Sequence, residues 1–263
     1  MAFARKLAPR YDLLLVARRR EALEALASEL RAAHGADVAV LTADLADAAQ
    51  LRTVADRLTA EPHLALLVNN AGFGNRGAFW EADLAVIEGM HRLHVMAIVR
   101  LTHAALTVLV AQDRGAVVNV ASIAAFAHGA GNASYGATKS WLAALTEGIY
   151  LDLEHAGSAV RVQALCPGYT YSEFHDLLGE DRRRLAPASL WSTAEEVVDA
   201  SLNALKKGTL VVVDAARQFK ELGRSALGEG VIASPAFAGQ RIFVRGLKHL
   251  ICLETKSASP AQK

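Results

Sequence analysis

The chain has 263 residues, with 28 Lys and Arg against 27 Asp and Glu, so its formal net charge is +1 at pH 7. Hydrophobic residues make up 52% and charged residues 21%, a mixture that can build a core and excludes disorder over most of the length. Near-zero net charge argues against a nucleic-acid binder, which needs a concentrated basic face. One large domain is the simplest interpretation of this length.

The apolar runs are short and the cysteines are few. The longest runs, such as Leu13 to Ala17, have the length of a strand, and we expect no stretch near the roughly 18 residues that span a bilayer. Two cysteines, Cys166 and Cys252, cannot form a disulfide framework, which indicates a reducing compartment. We therefore expect a cytoplasmic protein.

The N-terminal segment allows two interpretations. Residues 1–20 contain six Lys and Arg residues and one acid, Asp12, a composition loosely similar to a transit peptide. A short helix followed by a strand is the favoured interpretation, because the same pattern continues into the rest of the chain.

Apolar runs alternate with helical periodicity along the chain. One helical face is marked by Leu23, Leu26, Ala27 and Leu30, and another by Leu51, Val54, Ala55 and Leu58; longer helices are predicted near Asp83 to Val110 and Ser134 to Glu154. The predicted strands are Leu13 to Val16, Val38 to Leu41, Leu64 to Val68, Val117 to Val120, Val160 to Leu165 and Leu210 to Val213. A further helix begins at Thr193, with Glu196 positioned to reach back as a capping partner.

This alternation predicts an α/β fold with a doubly wound parallel sheet. Strands that are apolar throughout are buried on both faces, so helices must cover the sheet on each side. Such folds bind ligands beyond the carboxyl ends of their strands. We predict a single domain over residues 1–253 and a polar, mobile tail from Glu254 to Lys263.

Ser122, Tyr135 and Lys139 form the most informative group of side chains. Tyr135 and Lys139 are four apart on a predicted helix, so they share a face. An ammonium group near a phenol favours the phenolate and lowers its pKa, which makes the tyrosine a usable general acid or base. Ser122 follows a predicted strand, where its hydroxyl can polarise a carbonyl. A Tyr-x-x-x-Lys pair alone, however, is most often part of a surface helix.

Three further motifs follow strands of the predicted sheet. These are Asn69-Asn70-Ala71-Gly72, Asn119-Val120-Ala121-Ser122 and Cys166-Pro167-Gly168. In this order, together with Tyr135 and Lys139, they resemble the short-chain dehydrogenase/reductase family over residues 2–213. The resemblance implies a Rossmann-like fold and a nicotinamide-dependent oxidoreductase.

The resemblance also implies roles for individual residues. Tyr135 would exchange a proton with the substrate oxygen, Ser122 would hydrogen-bond that oxygen, and Lys139 would hold the nicotinamide ribose and lower the pKa of Tyr135. The cofactor-contacting residues would be Asn69, Asn70, Ala71, Gly72, Asp44, Pro167, Gly168 and Thr170, with Asp44 near the adenine. Asp44 could also be a helix cap. No metal site is predicted.

The segment after the first predicted strand indicates the preferred cofactor. Enzymes of this fold that prefer NAD usually place an acid at the corresponding position, whereas this chain has Arg18, Arg19 and Arg20. Guanidinium groups bind a phosphate through paired hydrogen bonds. We predict a preference for NADPH over NADH through Arg18, with Arg19 in support; the alternative is that these arginines are simply solvated.

The sequence departs from the family in two places. No Thr-Gly-x-x-x-Gly-x-Gly turn, which wraps the pyrophosphate in the family, precedes Ala2, so we expect the first strand to be missing and the natural start to lie upstream of Met1. Its absence would leave two internal strand edges without partners. The second departure is His94, which stands where the family has an asparagine of a proton relay. His94 could take over that relay or be a packed helix residue.

Aromatic residues near the predicted site favour an apolar carbonyl or alcohol substrate. The segment from Tyr169 to Trp191 should cover the substrate, and the aromatic and histidine residues in question are Tyr171, Phe174, His175, Trp191, Phe73 and Phe79. These could equally be packing residues. The resemblance implies a homodimer or homotetramer formed through the long helices.

Three functions remain open from the sequence. The first is an NADP-dependent carbonyl reductase or alcohol dehydrogenase. The second is a catalytically silent family member that binds a partner, which the absent glycine turn favours. The third is an epimerase or dehydratase on the same scaffold.

Overall fold

The structure, a computed structural model, describes residues 1–174, 185–207, 236–238, 241–245 and 250–254. Its contacts divide the chain into two compact units, Met1–Gln218 and Phe219–Lys263, and the first contains every predicted site residue. The single domain predicted over residues 1–253 stays a prediction. The predicted strand Leu210 to Val213, His175 and residues 255–263 lie outside the described residues.

Helices and parallel strands alternate along the first unit. Its helices are α1 (Ala2–Leu7), α2 (Arg20–His34), α3 (Ala48–Thr59), α4 (Leu84–His91), α5 (Ile98–Gln112), α6 (Ala133–His155) and α7 (Ala194–Lys207). Its strands are β1 (Leu13–Ala17), β2 (Val38–Thr42), β3 (Leu66–Asn69), β4 (Ala116–Val120), β5 (Arg161–Leu165), β6 (Tyr169–Tyr171) and β7 (Trp191–Thr193). The α/β fold with parallel sheets is confirmed, and the N-terminal segment forms the predicted short helix and strand.

Side-chain caps fix the starts of α7 and α3. At α7 the carboxylate of Glu196 accepts from the Thr193 amide at 2.7 Å, and the Thr193 hydroxyl accepts from the Glu196 amide at 3.1 Å. This reciprocal pair is the predicted capping box. At α3 the cap is Asp47, which accepts from the amides of Ala49 and Gln50. The suggestion that Asp44 caps a helix is therefore wrong.

The parallel strands form separate sheets. In the larger sheet β3, β4 and β5 lie in that order, with Asn69 opposite Asn119 and Val120 opposite Leu165. In a second sheet β1 pairs with β2, with Leu15 opposite Val40. A short third sheet pairs β6 with β7.

Within the described residues, β1 and β3 do not pair with each other, although the same helices cover both. In α1, Phe3 packs against the cluster that includes Leu66 and Val68, whereas Ala4 packs against the cluster that includes Leu13 and Leu15. A third cluster, formed by α3 and α5, contacts strand residues of both sheets. The two edges that we expected to lack partners are thus β1 and β3.

The helical run from Leu84 to Gln112 is longer and more apolar than we expected. It has 29 residues and contains an 18-residue window with a mean hydropathy of 1.8, so the expectation of no membrane-length stretch was wrong in length and composition. In the protein 44% of that window is buried, and Leu101, Ala105 and Leu109 lie in the core. A buried face of this kind is typical of a core helix.

The described residues of the second unit form three antiparallel strands. They are β8 (Ala236–Ala238), β9 (Arg241–Arg245) and β10 (Leu250–Glu254), in the order β10, β9, β8. Glu254, which we predicted to begin the tail, is the last residue of β10.

Candidate active site

The predicted site residues gather where the parallel strands end. Asn70 follows β3, Ser122 follows β4 and Pro167 follows β5, and these three strands are neighbours in one sheet. Arg19, just beyond β1, forms an ion pair of 2.7 Å with Glu173, which follows β6. The ends of the β1–β2 sheet and of the β3–β4–β5 sheet therefore face the same region, as the fold predicts for a ligand site.

Ser122 and Tyr135 lie side by side at the centre of this region. The Ser122 side chain is close enough to the Tyr135 phenol to lower its pKa. Ser122 is itself held in place: its Oγ accepts from the Ala124 amide at 3.1 Å, and the next amide, of Ile123, donates to the Pro167 carbonyl at 3.0 Å. Two strand ends thus fix the hydroxyl against the phenol.

Lys139 lies beneath Tyr135, as their spacing on α6 predicts. Its Nζ lies 5.7 Å from the centroid of the Tyr135 ring and donates to the Val120 carbonyl at 2.7 Å. The residue is 6% exposed, and burial lowers the pKa of its ammonium to about 8. At neutral pH the buried group still carries its charge.

Groups that we did not expect act on the pKa of Tyr135. Burial of the phenol raises its pKa, whereas the neighbouring Ser122 side chain and the positive charge of Arg76 act in the opposite direction. The Lys139 ammonium donates to the Val120 carbonyl, and the expectation that it lowers the pKa of Tyr135 stays a prediction. Sequence reasoning missed Arg76, whose only signal was its position four residues after Gly72 in the same loop.

His94 is fully enclosed beside Tyr135. It lies in a π-helical turn, Arg92–Ala97, between α4 and α5, and is 1% exposed. Its ring centroid lies 6.0 Å from that of Tyr135 and 5.8 Å from that of Phe73. Both ring nitrogens are hydrogen-bonded, one to the Phe73 amide and one to the hydroxyl of Thr138. Sequence reasoning also missed Thr138, the residue just before Lys139.

Asn69 does not line the site with its side chain. Its Nδ2 donates to Asn119 Oδ1 at 2.8 Å and to Thr102 Oγ1 at 3.0 Å. Asn119 Nδ2 in turn donates to Thr146 Oγ1 at 2.9 Å. This buried network joins β3 and β4 to α5 and α6 beneath the site. The exposed residues of the motif are the next three, Asn70, Ala71 and Gly72.

Arg18, Arg19 and Asp44 lie at the ends of β1 and β2. Arg18 and Arg19 are exposed, and Arg19 pairs with Glu173. Asp44 is half-buried in a turn in which its Oδ1 accepts from the Ala46 amide at 2.9 Å. Since Ala43 donates its amide to the Ala17 carbonyl, the two strand ends lie side by side. Arg18 and Asp44 therefore share one corner of the site.

The segment after β5 forms another wall. Pro167, Gly168 and Thr170 are half-buried, and the Thr170 hydroxyl donates to the Gly168 carbonyl at 3.1 Å. Cys166 beside them is buried and free, and burial raises the pKa of its thiol to about 11. A thiol with this pKa is a packing group rather than a nucleophile.

Some of the predicted aromatic residues lie beside the active site, and others pack away from it. The ring centroids of Phe174 and Tyr135 are 5.6 Å apart, so Phe174 lies beside the reactive phenol. Trp191 is 2% exposed and lies in the core, where it stacks on the half-buried Tyr171 at 5.0 Å. Phe79 is 57% exposed on a short turn.

The residues present fit the two ends of a nicotinamide dinucleotide. Lys139 Nζ has three donors and uses one on Val120, which leaves two for ribose hydroxyls. The exposed small residues Ala71 and Gly72 leave the end of β3 open to close approach. Arg18 supplies positive charge at the opposite corner. Among the described residues, no group of His, Cys, Asp and Glu could hold a metal ion.

Comparison with known proteins shows the family. The model of the short chain dehydrogenase family matches residues 1–183. The chain therefore belongs to the short-chain dehydrogenase/reductase family, and its class is that of an oxidoreductase.

Three similar proteins extend this result. The chain is 29% identical over 212 residues to a 7beta-hydroxysteroid dehydrogenase of Collinsella aerofaciens, covering 80% of each chain. A short-chain dehydrogenase from Sphingobium yanoikuyae, solved in complex with NADPH, is 35% identical with a TM-score of 0.75 over 80% of this chain and 81% of that one. A bulky-bulky ketone specific alcohol dehydrogenase from Comamonas testosteroni is 31% identical with a TM-score of 0.71, over 80% and 79%.

Proposed function

We propose that the protein transfers a hydride between NADP(H) and a carbonyl/alcohol pair on a bulky, apolar substrate. The observation that supports this most directly is the buried Lys139, whose Nζ lies 5.7 Å from the Tyr135 ring centroid, with the Ser122 side chain beside the phenol. The carbonyl oxygen of a ketone placed against both hydroxyls receives two hydrogen bonds. Its carbon then becomes more electrophilic.

The side chains have distinct tasks in ketone reduction. When bound, NADPH supplies the hydride to the carbonyl carbon. Tyr135 donates its phenolic proton to the carbonyl oxygen as negative charge develops there. Ser122 holds that oxygen against the phenol, and Lys139 offers its two remaining protons to the ribose. In alcohol oxidation Tyr135 is the base, and its proton moves in the opposite direction.

The charge at the end of β1 supports NADPH over NADH. Arg18 and Arg19 are exposed there, and the second carries an ion pair to Glu173. Arg18 is thus the better candidate for the ribose phosphate, with Arg19 in support. The Sphingobium relative, solved with NADPH, adds to the support.

Apolar groups beside Tyr135 support the substrate class. Phe174 lies against the phenol and Phe73 against His94. Aromatic walls next to two hydroxyls favour a ketone whose substituents are large and apolar. The names of two relatives, a ketone-specific alcohol dehydrogenase and a hydroxysteroid dehydrogenase, point to the same class.

The experiment has two stages that separate this proposal from its alternative. Enhanced nicotinamide fluorescence on mixing NADPH with the full chain tests binding, and NADPH loss with a panel of bulky ketones tests turnover. Binding with turnover supports the proposal. Absence of both contradicts it and supports a catalytically silent protein that binds a partner.

We also propose that the protein forms a homodimer or homotetramer through its long helices. Apolar side chains on the outer face of the Leu84–Gln112 run are exposed, with Leu84 at 64%, Met96 at 57% and Val99 at 41%. Covering such a patch favours self-association. A Val99→Asp variant should sediment as a smaller species than the wild-type chain. An unchanged sedimentation coefficient would exclude this face from the interface.

A further inference from the structure

His94 connects two parts of the active site that are distant in sequence. On one side its Nε2 lies 3.1 Å from the Phe73 amide, in the loop that follows β3. On the other side its Nδ1 lies 3.0 Å from Thr138 Oγ1 on α6. The Thr138 hydroxyl donates to the carbonyl of Tyr135 at 2.8 Å. One imidazole thus joins the cofactor-side loop to the turn of helix that holds the reactive tyrosine.

These contacts determine which nitrogen carries the proton. An amide can only donate, so Nε2 must offer its lone pair to Phe73. The hydroxyl proton of Thr138 is used on the Tyr135 carbonyl, so the hydroxyl oxygen is an acceptor toward Nδ1. The imidazole is therefore the neutral Nδ1–H tautomer.

The surroundings of His94 oppose a second proton. Burial lowers its pKa to about 3, and the positive charges of Lys139 on α6 and His91 on α4 act in the same direction. The groups packed against the ring, Phe73 and Tyr135, carry no negative charge at neutral pH. Protonation of Nε2 would also break its bond to the Phe73 amide, because two N–H donors cannot hydrogen-bond each other.

The loop that follows β3 lies close against the imidazole ring of His94 at Gly72. A Cβ at Gly72 would lie 2.9 Å from His94 Nε2, closer than side-chain carbons approach. Gly72 is therefore required where the imidazole meets the backbone. The π-helical turn Arg92–Ala97 lies at the same place, and such turns are frequent at functional sites.

We propose that His94 is a positioning residue, a permanently neutral link that sets the Phe73 loop against Thr138 and Tyr135, and that it does not relay protons. The effect on turnover rests on the proposed function, whereas the tautomer and the link do not. A proton relay through His94 would require Nε2 to take up a proton, but its lone pair already accepts a hydrogen bond from the Phe73 amide.

The first test observes the imidazole directly. In ¹⁵N-histidine NMR of the full chain, the signals lost in His94→Gln identify His94. We expect a protonated Nδ1 and a bare Nε2 that stay unchanged from about pH 5 to pH 8, since the pKa lies near 3. An Nε2–H tautomer, or titration within that range, would overturn the proposal. This outcome does not depend on catalysis.

The second test removes one end of the link with a matched control. Thr138→Val deletes the hydroxyl at nearly constant shape, and Thr138→Ser restores it. We expect Thr138→Val to lower kcat about tenfold, as loss of one buried hydrogen bond implies, with Thr138→Ser near wild type and the pH profile unchanged in shape. Equal kcat values in Thr138→Val and Thr138→Ser would overturn the proposal. A shifted pH profile of turnover in His94→Gln would overturn it as well.

The same variants give a readout without turnover. The unfolding equilibrium of Thr138→Val should shift by about tenfold relative to Thr138→Ser. His103 is an exposed histidine of α5. His103→Gln therefore serves as the control for loss of the imidazole ring in His94→Gln. Should wild-type protein fail to reduce any ketone, the proposed function falls. The NMR and unfolding results would still decide the role of His94.

Discussion

The side chain of Ser122 lies beside the phenol of Tyr135 and lowers its pKa, although Ser122 follows a strand and Tyr135 lies in the first turn of α6. The Ile123 amide, bonded to the Pro167 carbonyl, fixes this geometry from a second strand end. Two hydroxyls are therefore held ready for one substrate oxygen before any ligand binds. Such preorganisation reduces the cost of orienting the reactive groups.

The pH dependence should follow the phenol of Tyr135. Burial raises its pKa, so the protonated form that donates in reduction persists through neutral pH, and the phenolate needed for oxidation forms only as pH rises. The rate of ketone reduction should therefore be constant near neutral pH and fall at alkaline pH, whereas the rate of alcohol oxidation should rise. Arg76→Gln removes a charge that lowers this pKa, so the alkaline limb should move to higher pH. Arg52→Gln on α3 is the control. If the alkaline limbs of the pH–rate profiles are identical in the wild type and both variants, this role of Arg76 is contradicted.

Cofactor preference should depend on Arg18. Replacing Arg18 by Ala removes a guanidinium from the proposed phosphate corner, which should weaken NADPH binding by roughly tenfold to a hundredfold and leave NADH binding nearly unchanged. Arg19→Ala should have a smaller effect, because Arg19 is engaged with Glu173. Fluorescence titrations with both cofactors measure the ratio. An unaltered ratio in Arg18→Ala would mean that the arginine is simply solvated.

Stability should depend on the buried amide network below the site. Asn119 is completely buried and bonds both Asn69 and Thr146. Asn119→Ala leaves their polar atoms without these partners, and we expect a loss of about 2–4 kcal/mol in the free energy of unfolding. Asn70→Ala, at an exposed neighbour, should cost less than about 0.5 kcal/mol. Similar denaturation midpoints for the two variants would show that the network contributes little.

Local patterns in the sequence predicted most of the scaffold. Apolar periodicity located the helices and strands because burial on one helix face or on both strand faces leaves a repeat that can be read directly. The four-residue spacing placed Tyr135 and Lys139 on one face, and Thr193 with Glu196 predicted the start of α7. These features depend on neighbours in the chain.

Contacts between distant segments could not be predicted in this way. His94 is 21 residues from Phe73 and 44 from Thr138, so its two hydrogen bonds follow only from the packed fold. The π-helical turn that holds it has no distinct local pattern. Arg76 acts on Tyr135 across a loop, and the direction of the Lys139 ammonium depends on where β4 ends.

The most direct test of hydride transfer coupled to Tyr135 is a single-turnover measurement of NADPH oxidation with a bulky ketone. The experiment compares the full chain with Tyr135→Phe, and nicotinamide fluorescence reports binding in both. We predict at least a hundredfold slower oxidation in the variant, in line with loss of a general acid, and similar NADPH affinity. Equal oxidation rates in the two proteins, with NADPH bound to both, would contradict the account.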